Sequence, residues 1–522
     1  MNPTASLTTA PLAGRREWVG LAVLALPTLL IALNNSVLHL ALPHLSADLG
    51  PDSSQLLWIL DIYGFMIAGS LITLGAVGDR IGRRKLLLVG AGAFGAASVA
   101  AAFAPTAGML IVARALLGLA GGTLMPSTLS LISTMFRNAR QRTAAIGIWM
   151  TCFSVGSTLG PLFGGLLLER FWWGSVFLLS VPVMLLLLIA GPLLLPEARD
   201  PDPGRLDLTS AAMSLAAVLA VVYAVKRMAQ DGFTGQAGLV LAGGIALATC
   251  FVFRQRRLPD PLLDLGLFAR PGFSVSLLTM TLGILAMAGT QLFITQYLQL
   301  VEGLSPFAAG MWMIPGALGL IVGTNLGPAL ARRVRPAYII GAGLAVAAAG
   351  YAALTQVPSS SGLLLLMLGS IAIGAGLGPM MTLSTDLVVD SAPPEKAGAA
   401  SAMSETGGEF GMALGIAVIG SAGTAVYRSE MAGAIPAGVP AAATENARDT
   451  LAGAVELAGE LPGRAEADLL ESAREAFTHG LHVNAGISGG VMIVVAVATV
   501  VMQRHVRASD APAAQPSVLD VG

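Results

Sequence analysis

The chain has 522 residues, 55% of them hydrophobic and only 11% charged, with a formal net charge of −1. Its mean hydropathy is +0.76, which excludes an ordinary soluble domain; the net charge itself says nothing about partners, and no nucleic-acid partner is expected. What remains is a polytopic membrane protein whose surroundings are the lipid bilayer.

A spanning helix needs about 20 largely apolar residues. Fourteen such spans are predicted, at 17–44, 54–77, 86–104, 107–134, 143–167, 174–195, 207–226, 237–254, 272–300, 306–330, 336–356, 362–388, 397–426 and 479–503. With the N-terminus inside, twenty-one of the 29 lysines and arginines fall on the inner side, seven fall outside, and Arg114 alone lies within a span. By the positive-inside rule both termini are expected in the cytoplasm. Residues 1–16 show no cleavage pattern, so span 1 is expected to serve as an uncleaved signal anchor. Cys152 and Cys250 both fall within spans and are read as small apolar residues.

Taken in order, span 1 places Asn34, Asn35 and His39 at membrane depth, and span 2 carries Trp58, Asp61 and Tyr63. The run GAVGDRIGRRK at 75–85 follows, a glycine-opened turn with Asp79, Arg80, Arg83, Arg84 and Lys85 at the inner surface. Span 4 contains LIVARALLG at 110–118, with Arg114 buried in it. Span 5 contains TCFSVGSTLGPLFGG at 151–165. There Gly156, Gly160 and Gly164 recur every fourth residue and form a smooth stripe for a close helix neighbour, while Pro161 removes a backbone donor and is expected to bend the helix next to Gly165.

Internal repetition is legible as well. Gly156 and Gly160 of span 5 are echoed by Gly411 and Gly415 of span 13, and Gly118 and Gly122 of span 4 by Gly374 and Gly378 of span 12. A weaker copy of the 75–85 run follows span 10 at Gly327, Arg332 and Arg335, with Ala331 where Asp79 would stand. The expected organisation is therefore a six-helix bundle at 1–196, two inserted helices with linkers at 197–271, a second six-helix bundle at 272–503 and a tail at 504–522. The hydrophilic stretch 428–478 is expected to form an outer helical hairpin divided at Pro462 and Gly463.

Carboxyl groups inside spans are functional candidates by default. Asp61 lies about two turns into span 2, roughly 10 Å deep. Glu405 and Glu409 lie one turn apart on a single face of span 13. Two acids on one face in a low-dielectric site repel, and a proton that relieves the repulsion can be exchanged for a cation. Arg114 enters span 4 by about as much as Asp61 enters span 2, so the two could meet at one level. Asp386 and Asp390 are read as interfacial. His39 could titrate or serve as a packing histidine.

These stretches resemble a known family. The 75–85 run is similar to the signature loop between helices 2 and 3 of the major facilitator superfamily, and the span 4 and span 5 runs resemble the helix-4 and antiporter motifs of its drug:proton exporters. LLWILDIY at 56–63, GSVF at 174–177 and the run Ser404–Gly411 look like fourteen-helix quaternary-ammonium and methyl-viologen exporters of the QacA/SmvA type. The resemblance implies an all-α major facilitator fold and proton-driven efflux of lipophilic cations: quaternary ammonium compounds, dyes and biguanide-like antiseptics. It implies that Asp61, Glu405 and Glu409 are proton- or drug-binding acids and that Asp79 with the loop arginines latches one state. One position departs: Asn34 stands where such exporters usually place an aspartate, and an amide does not exchange a proton near neutral pH.

The expected protein is a monomeric antiporter of the bacterial cytoplasmic membrane, exchanging small-molecule drugs for protons without a cofactor or metal. Trp58, Tyr63, Met287, Trp312 and Met403 are the candidate cavity wall. The rivals are a dedicated exporter of one neutral or anionic metabolite, which Asn34 favours, and a non-transporting membrane sensor. No nucleotide loop, metal cluster or nucleophile signature points to an enzyme.

Overall fold

The computed structural model describes the chain except residues 1–11, 52, 200–206, 232–233, 259–260, 262–264, 394–396, 434–443, 445–446, 462–463 and 506–522. Within the helices, the side chains of Asp61, His39, Pro161 and Gly165, all singled out above, also lie outside the described set. Among the described residues every regular element is helical.

The first half contains α1 (Arg15–Leu49), α2 (Ser53–Ile81), α3 (Arg83–Ala102), α4 (Ala107–Met135), α5 (Ala139–Arg170), α6 (Ser175–Leu178) and α7 (Ser180–Leu194). Then come α8 (Leu208–Asp231) and α9 (Gly235–Gln255). The second half contains α10 (Pro271–Gln296), α11 (Pro306–Ala331), α12 (Pro336–Leu354), α13 (Leu363–Asp390), α14 (Ala397–Leu414), α15 (Ser421–Met431), α16 (Leu451–Ala458) and α17 (Arg464–Gln503). A π-helical segment, Gly415–Gly420, joins α14 to α15.

Eleven helices among the described residues are long and apolar enough to cross a membrane, or twelve if the two parts of α2 form one bent span. Helix α5 has the length, at 32 residues, but its glycines, serines and threonines dilute its hydropathy, and the apolar part of α8 covers only Thr209–Val225.

Burial runs opposite to that of a soluble protein. Leu239 is 76% exposed and Ile189 69%, while Thr128, Ser130, Ser384 and Thr385 are buried. Lipid solvates the former; of the latter, Thr128 donates to the Met125 carbonyl of its own helix and Thr385 to the Met280 sulfur of a neighbouring one. Local chemistry marks the helix starts: Thr106, Asn138, Thr234, Ser305 and Thr450 each accept a backbone N–H of the following turn, a cap that stabilises a helix by about 1 kcal/mol.

Two apolar cores form, one drawn from residues 21–195 with Val389 and Ala397, the other from residues 286–495. The paired glycines make matching contacts in each half. A Cβ at Gly156 of α5 would run into the Leu29 carbonyl of α1, just as one at Gly411 or Gly415 would run into the Thr281 or Leu285 carbonyl of α10. Gly118 of α4 lies against the Tyr63 carbonyl of α2, and Gly374 of α13 against the Gly316 carbonyl of α11. Gly164 adds a second contact on Val37 of α1, so the α5 stripe packs within its own half.

Two sequence expectations are corrected. Helix α17 runs unbroken from Arg464 to Gln503, so the second limb of the outer hairpin is an extension of the last span. Leu469, Ala473, Ala476, Phe477 and Leu481 keep one buried face in register along it, and Phe477 stacks on Phe293 at 4.7 Å. Cys250 is exposed, and Cys152 is only half-buried.

Leucine at Gly156 or Gly415 is expected to lower the melting temperature in detergent or abolish a monodisperse protein. Leucine at Gly92, which has nothing within 4 Å, is expected to do neither. Equal tolerance at all three positions would contradict close backbone packing.

Candidate functional site

The acids of α14 are aimed by its glycines. Gly407 and Gly411 face α10, where a Cβ on either would meet Thr281. Glu405 and Glu409 each sit two residues before one of these glycines, about 200° round the helix. They therefore occupy the face away from α10, on the side where α14 packs against α2 and α4 of the first half. Both are half-buried, and each lies within electrostatic reach of the other.

Across this seam stands Tyr63, 2% exposed. Its ring lies under the guanidinium of Arg114, 5.2 Å from the centroid, and it lies within electrostatic reach of Glu409. Arg114 is itself fully buried and donates from Nη2 to the Leu60 carbonyl at 3.3 Å. Arg114 thus stands at the level of the α2 backbone next to residue 61. Asn34 is 4% exposed on α1, and its amide nitrogen has no hydrogen-bond partner among the described residues.

The other cavity candidates do not form one wall. Trp58 is 37% exposed and stacks on Tyr223 of α8 at 6.1 Å. Met287 and Trp312 are half-buried against the second core. Met403 is closed into a cluster with Phe251, Phe273 and Val388, because α9 and the 265–269 turn cover that part of α14. Helix α8 packs on both α2 and α14, joining Val218 and Val222 to Phe65 and Ala413.

The 75–85 run is not the expected glycine-opened turn: α2 continues through Ile81 and α3 begins at Arg83, with only Gly82 between them, and the run holds a local charge pair. Arg83, 1% exposed, donates from Nε to Asp79 at 2.8 Å. Gly82 turns the chain at φ +106°, which an L side chain rarely adopts, and a Cβ there would also meet the Glu197 carboxylate. Glu197 accepts the Arg84 N–H at 3.0 Å, and Arg83 N–H donates to the Ala198 carbonyl at 2.8 Å. The segment after α7 is therefore stitched over this loop. Arg80 stands at the end of α2.

The polar tie between the halves comes from residues that sequence reasoning did not combine. Arg142 at the start of α5 donates from Nε to Asp386 at 2.9 Å and from Nη2 to Asp390 at 2.8 Å, and Thr143 Oγ1 donates to Asp386 at 2.6 Å. Further along the same helix, Thr151 accepts from Asn325 of α11 at 2.9 Å, and Gly147 lies against the Thr324 carbonyl. Gly147 and Gly156 are nine residues apart, about half a revolution. One side of α5 holds α1 and the other meets the second half. The only sequence signal was the spacing of Asp386 and Asp390, one turn apart at a helix end.

The profile of the Major Facilitator Superfamily matches residues 24–416. The chain belongs to the major facilitator superfamily. It is 44% identical over 499 residues to the multidrug efflux pump LfrA of Mycolicibacterium smegmatis, covering 95% of this chain and 97% of that protein. It is 33% identical to the methyl viologen resistance protein SmvA of Salmonella typhimurium, covering 92% and 97%. It is 31% identical to the tetracenomycin C resistance and export protein of Streptomyces glaucescens, covering 92% and 90%. The human organic anion transporter MFSD10 shares the fold, with a TM-score of 0.59 at 16% identity over 92% of this chain and 99% of that one. This superfamily member is thus a multi-pass membrane protein whose relatives export drugs and antibiotics, and a transporter rather than an enzyme.

The latch pairs differ in exposure, 15% for Asp386 and 43% for Asp390, so their joint contribution falls between about 1 kcal/mol for exposed pairs and ~3–5 for buried ones. Each kcal/mol shifts a two-state equilibrium about fivefold. Arg142→Ala is expected to add a longer-distance population between spin labels at positions 137 and 333, at the end where α5 starts. An unchanged distribution would show that these ion pairs do not hold the two halves together.

Proposed function

We propose that this transporter is a proton-coupled exporter of lipophilic organic cations, working by alternating access between two six-helix bundles at 1–196 and 272–503. Fourteen spans are inferred, with α5 and α8 completing the set and both termini in the cytoplasm. The arrangement is closed at the basic, cytoplasmic end by Arg142 with Asp386 and Asp390. The 75–85 loop, with Asp79, Arg80, Arg83 and Arg84, steadies that end.

The observation that carries the reading is a pair of half-buried carboxyl groups, Glu405 and Glu409, on the face of α14 turned toward α2 and α4. In hydrocarbon such groups are costly and find relief in a proton or a cationic cargo. Asp61 and Arg114 form the second pole of the site, in the first half. Trp58, Met287 and Trp312 supply adaptable apolar and aromatic surface. Moving one charge across 100 mV releases about 2.3 kcal/mol, and each pH unit adds about 1.4. One or two protons therefore support a tenfold or larger gradient of a monovalent drug.

The second reading is export of one neutral or anionic product, as the tetracenomycin C exporter's name describes for that relative. Asn34 favours it, since its buried amide nitrogen has no partner among the described residues and an amide does not exchange a proton near neutral pH.

Inside-out vesicles loaded with this protein and energised by an acid interior are expected to accumulate a monovalent cationic dye, and Glu405→Gln with Glu409→Gln to abolish that uptake. Asn34→Asp is expected to raise pH-driven uptake of a divalent cation at least severalfold. Accumulation of a neutral compound with indifference to both cations would select the second reading.

A further inference from the structure

Tyr63 is seated more elaborately than a packing ring requires. Arg114, Gly118 and Gly121 fall at i, i+4 and i+7 on one face of α4. Arg114 lies over the ring at 5.2 Å. A Cβ at Gly118 would come 2.5 Å from the Tyr63 carbonyl, and one at Gly121 3.5 Å from its hydroxyl. That hydroxyl is buried and has no hydrogen-bond partner among the described residues. A phenylalanine would fill the same seat without the cost of an unpaired hydroxyl.

The ionisable groups around this seat come from several helices. Helix α4 brings Arg114, and α14 brings Glu409, within electrostatic reach of Tyr63, with Glu405 one turn away. Asp61 stands two residues back on α2 itself. Helix α8 brings Arg227, which donates to the Tyr223 hydroxyl at 3.4 Å. Asp48 at the end of α1 is held by the Trp173 indole at 2.7 Å. The basic residues of α3 lie at its start, Arg83 to Lys85, by the 75–85 loop.

We propose that Tyr63 is the positioning residue that couples Glu409, on the second half, to Arg114, on the first. Its ring fixes the guanidinium, and its unpaired hydroxyl is the donor that meets the Glu409 carboxylate once the proton has left. The inference rests on Glu409 exchanging a proton for cargo.

The test uses the purified full chain in detergent with tetraphenylphosphonium as the cation, measuring its affinity and the protons released per cation bound. Tyr63→Phe keeps the ring, and is expected to bind the cation within about threefold of the parent while releasing roughly half the protons or fewer. Tyr63→Phe combined with Glu409→Gln is expected to match Glu409→Gln alone. Normal proton release from Tyr63→Phe would overturn this inference and leave the proposed function standing. Parallel loss of binding and release would make Tyr63 a packing residue, and would also overturn it. No release from the parent protein would overturn the proton-exchange reading and this inference together.

Discussion

An ionisable oxygen in hydrocarbon has no water to bond, and its charge must be met by a partner or removed by a proton. Glu405 and Glu409 carry that constraint into the seam between the two halves, while Arg114, fully buried, carries the opposite charge into the first half. Arg114 is accommodated by the Leu60 carbonyl and the Tyr63 ring. Under the proposed function, the two acids are the groups whose state changes with cargo, opposite that buried cation.

Such groups need a scaffold that can move without losing its packing. The glycines supply close backbone contacts inside each half, α5 on α1 and α14 on α10, while contact between the halves includes polar side chains that can part and re-form. The Arg142 pairs and the Thr151–Asn325 bond are of that kind. Dispersion over a close backbone contact is lost outright when helices separate, whereas an ion pair can exchange its partner for water. Each half therefore suits rigid-body movement, with the charged end of α5 as the releasable contact. Helix α8 bridges α2 and α14 through an apolar cluster, Val218, Val222 and Leu219 against Phe65, Phe410 and Ala413.

Much of this was legible in the chain because it rests on local spacing. Glycines at fixed intervals mark helix faces, and the same faces recur in the second half at Gly374, Gly378, Gly411 and Gly415. The i, i+4 spacing of Glu405 and Glu409 places both acids on one side, and the glycines two residues on show which side. The Arg142–Asp386 contact joins residues 244 apart, and no periodicity reports such a pairing. Met403 is a cavity candidate because methionine moulds to varied shapes, but its cover comes from α9 and the 265–269 turn, which are distant in sequence. The helix of the last span begins at Arg464, ahead of the expected 479, because acidic residues lower hydropathy without interrupting the helical register of α17.

The central claim is that cargo and proton compete for the α14 carboxyl groups. Infrared difference spectroscopy of the full-length protein, recorded as a monovalent cation binds, tests it most directly. The account expects loss of a protonated-carboxyl C=O band on binding, absent when both glutamates are replaced by glutamine. A band that persists unchanged while the cation is bound would contradict it.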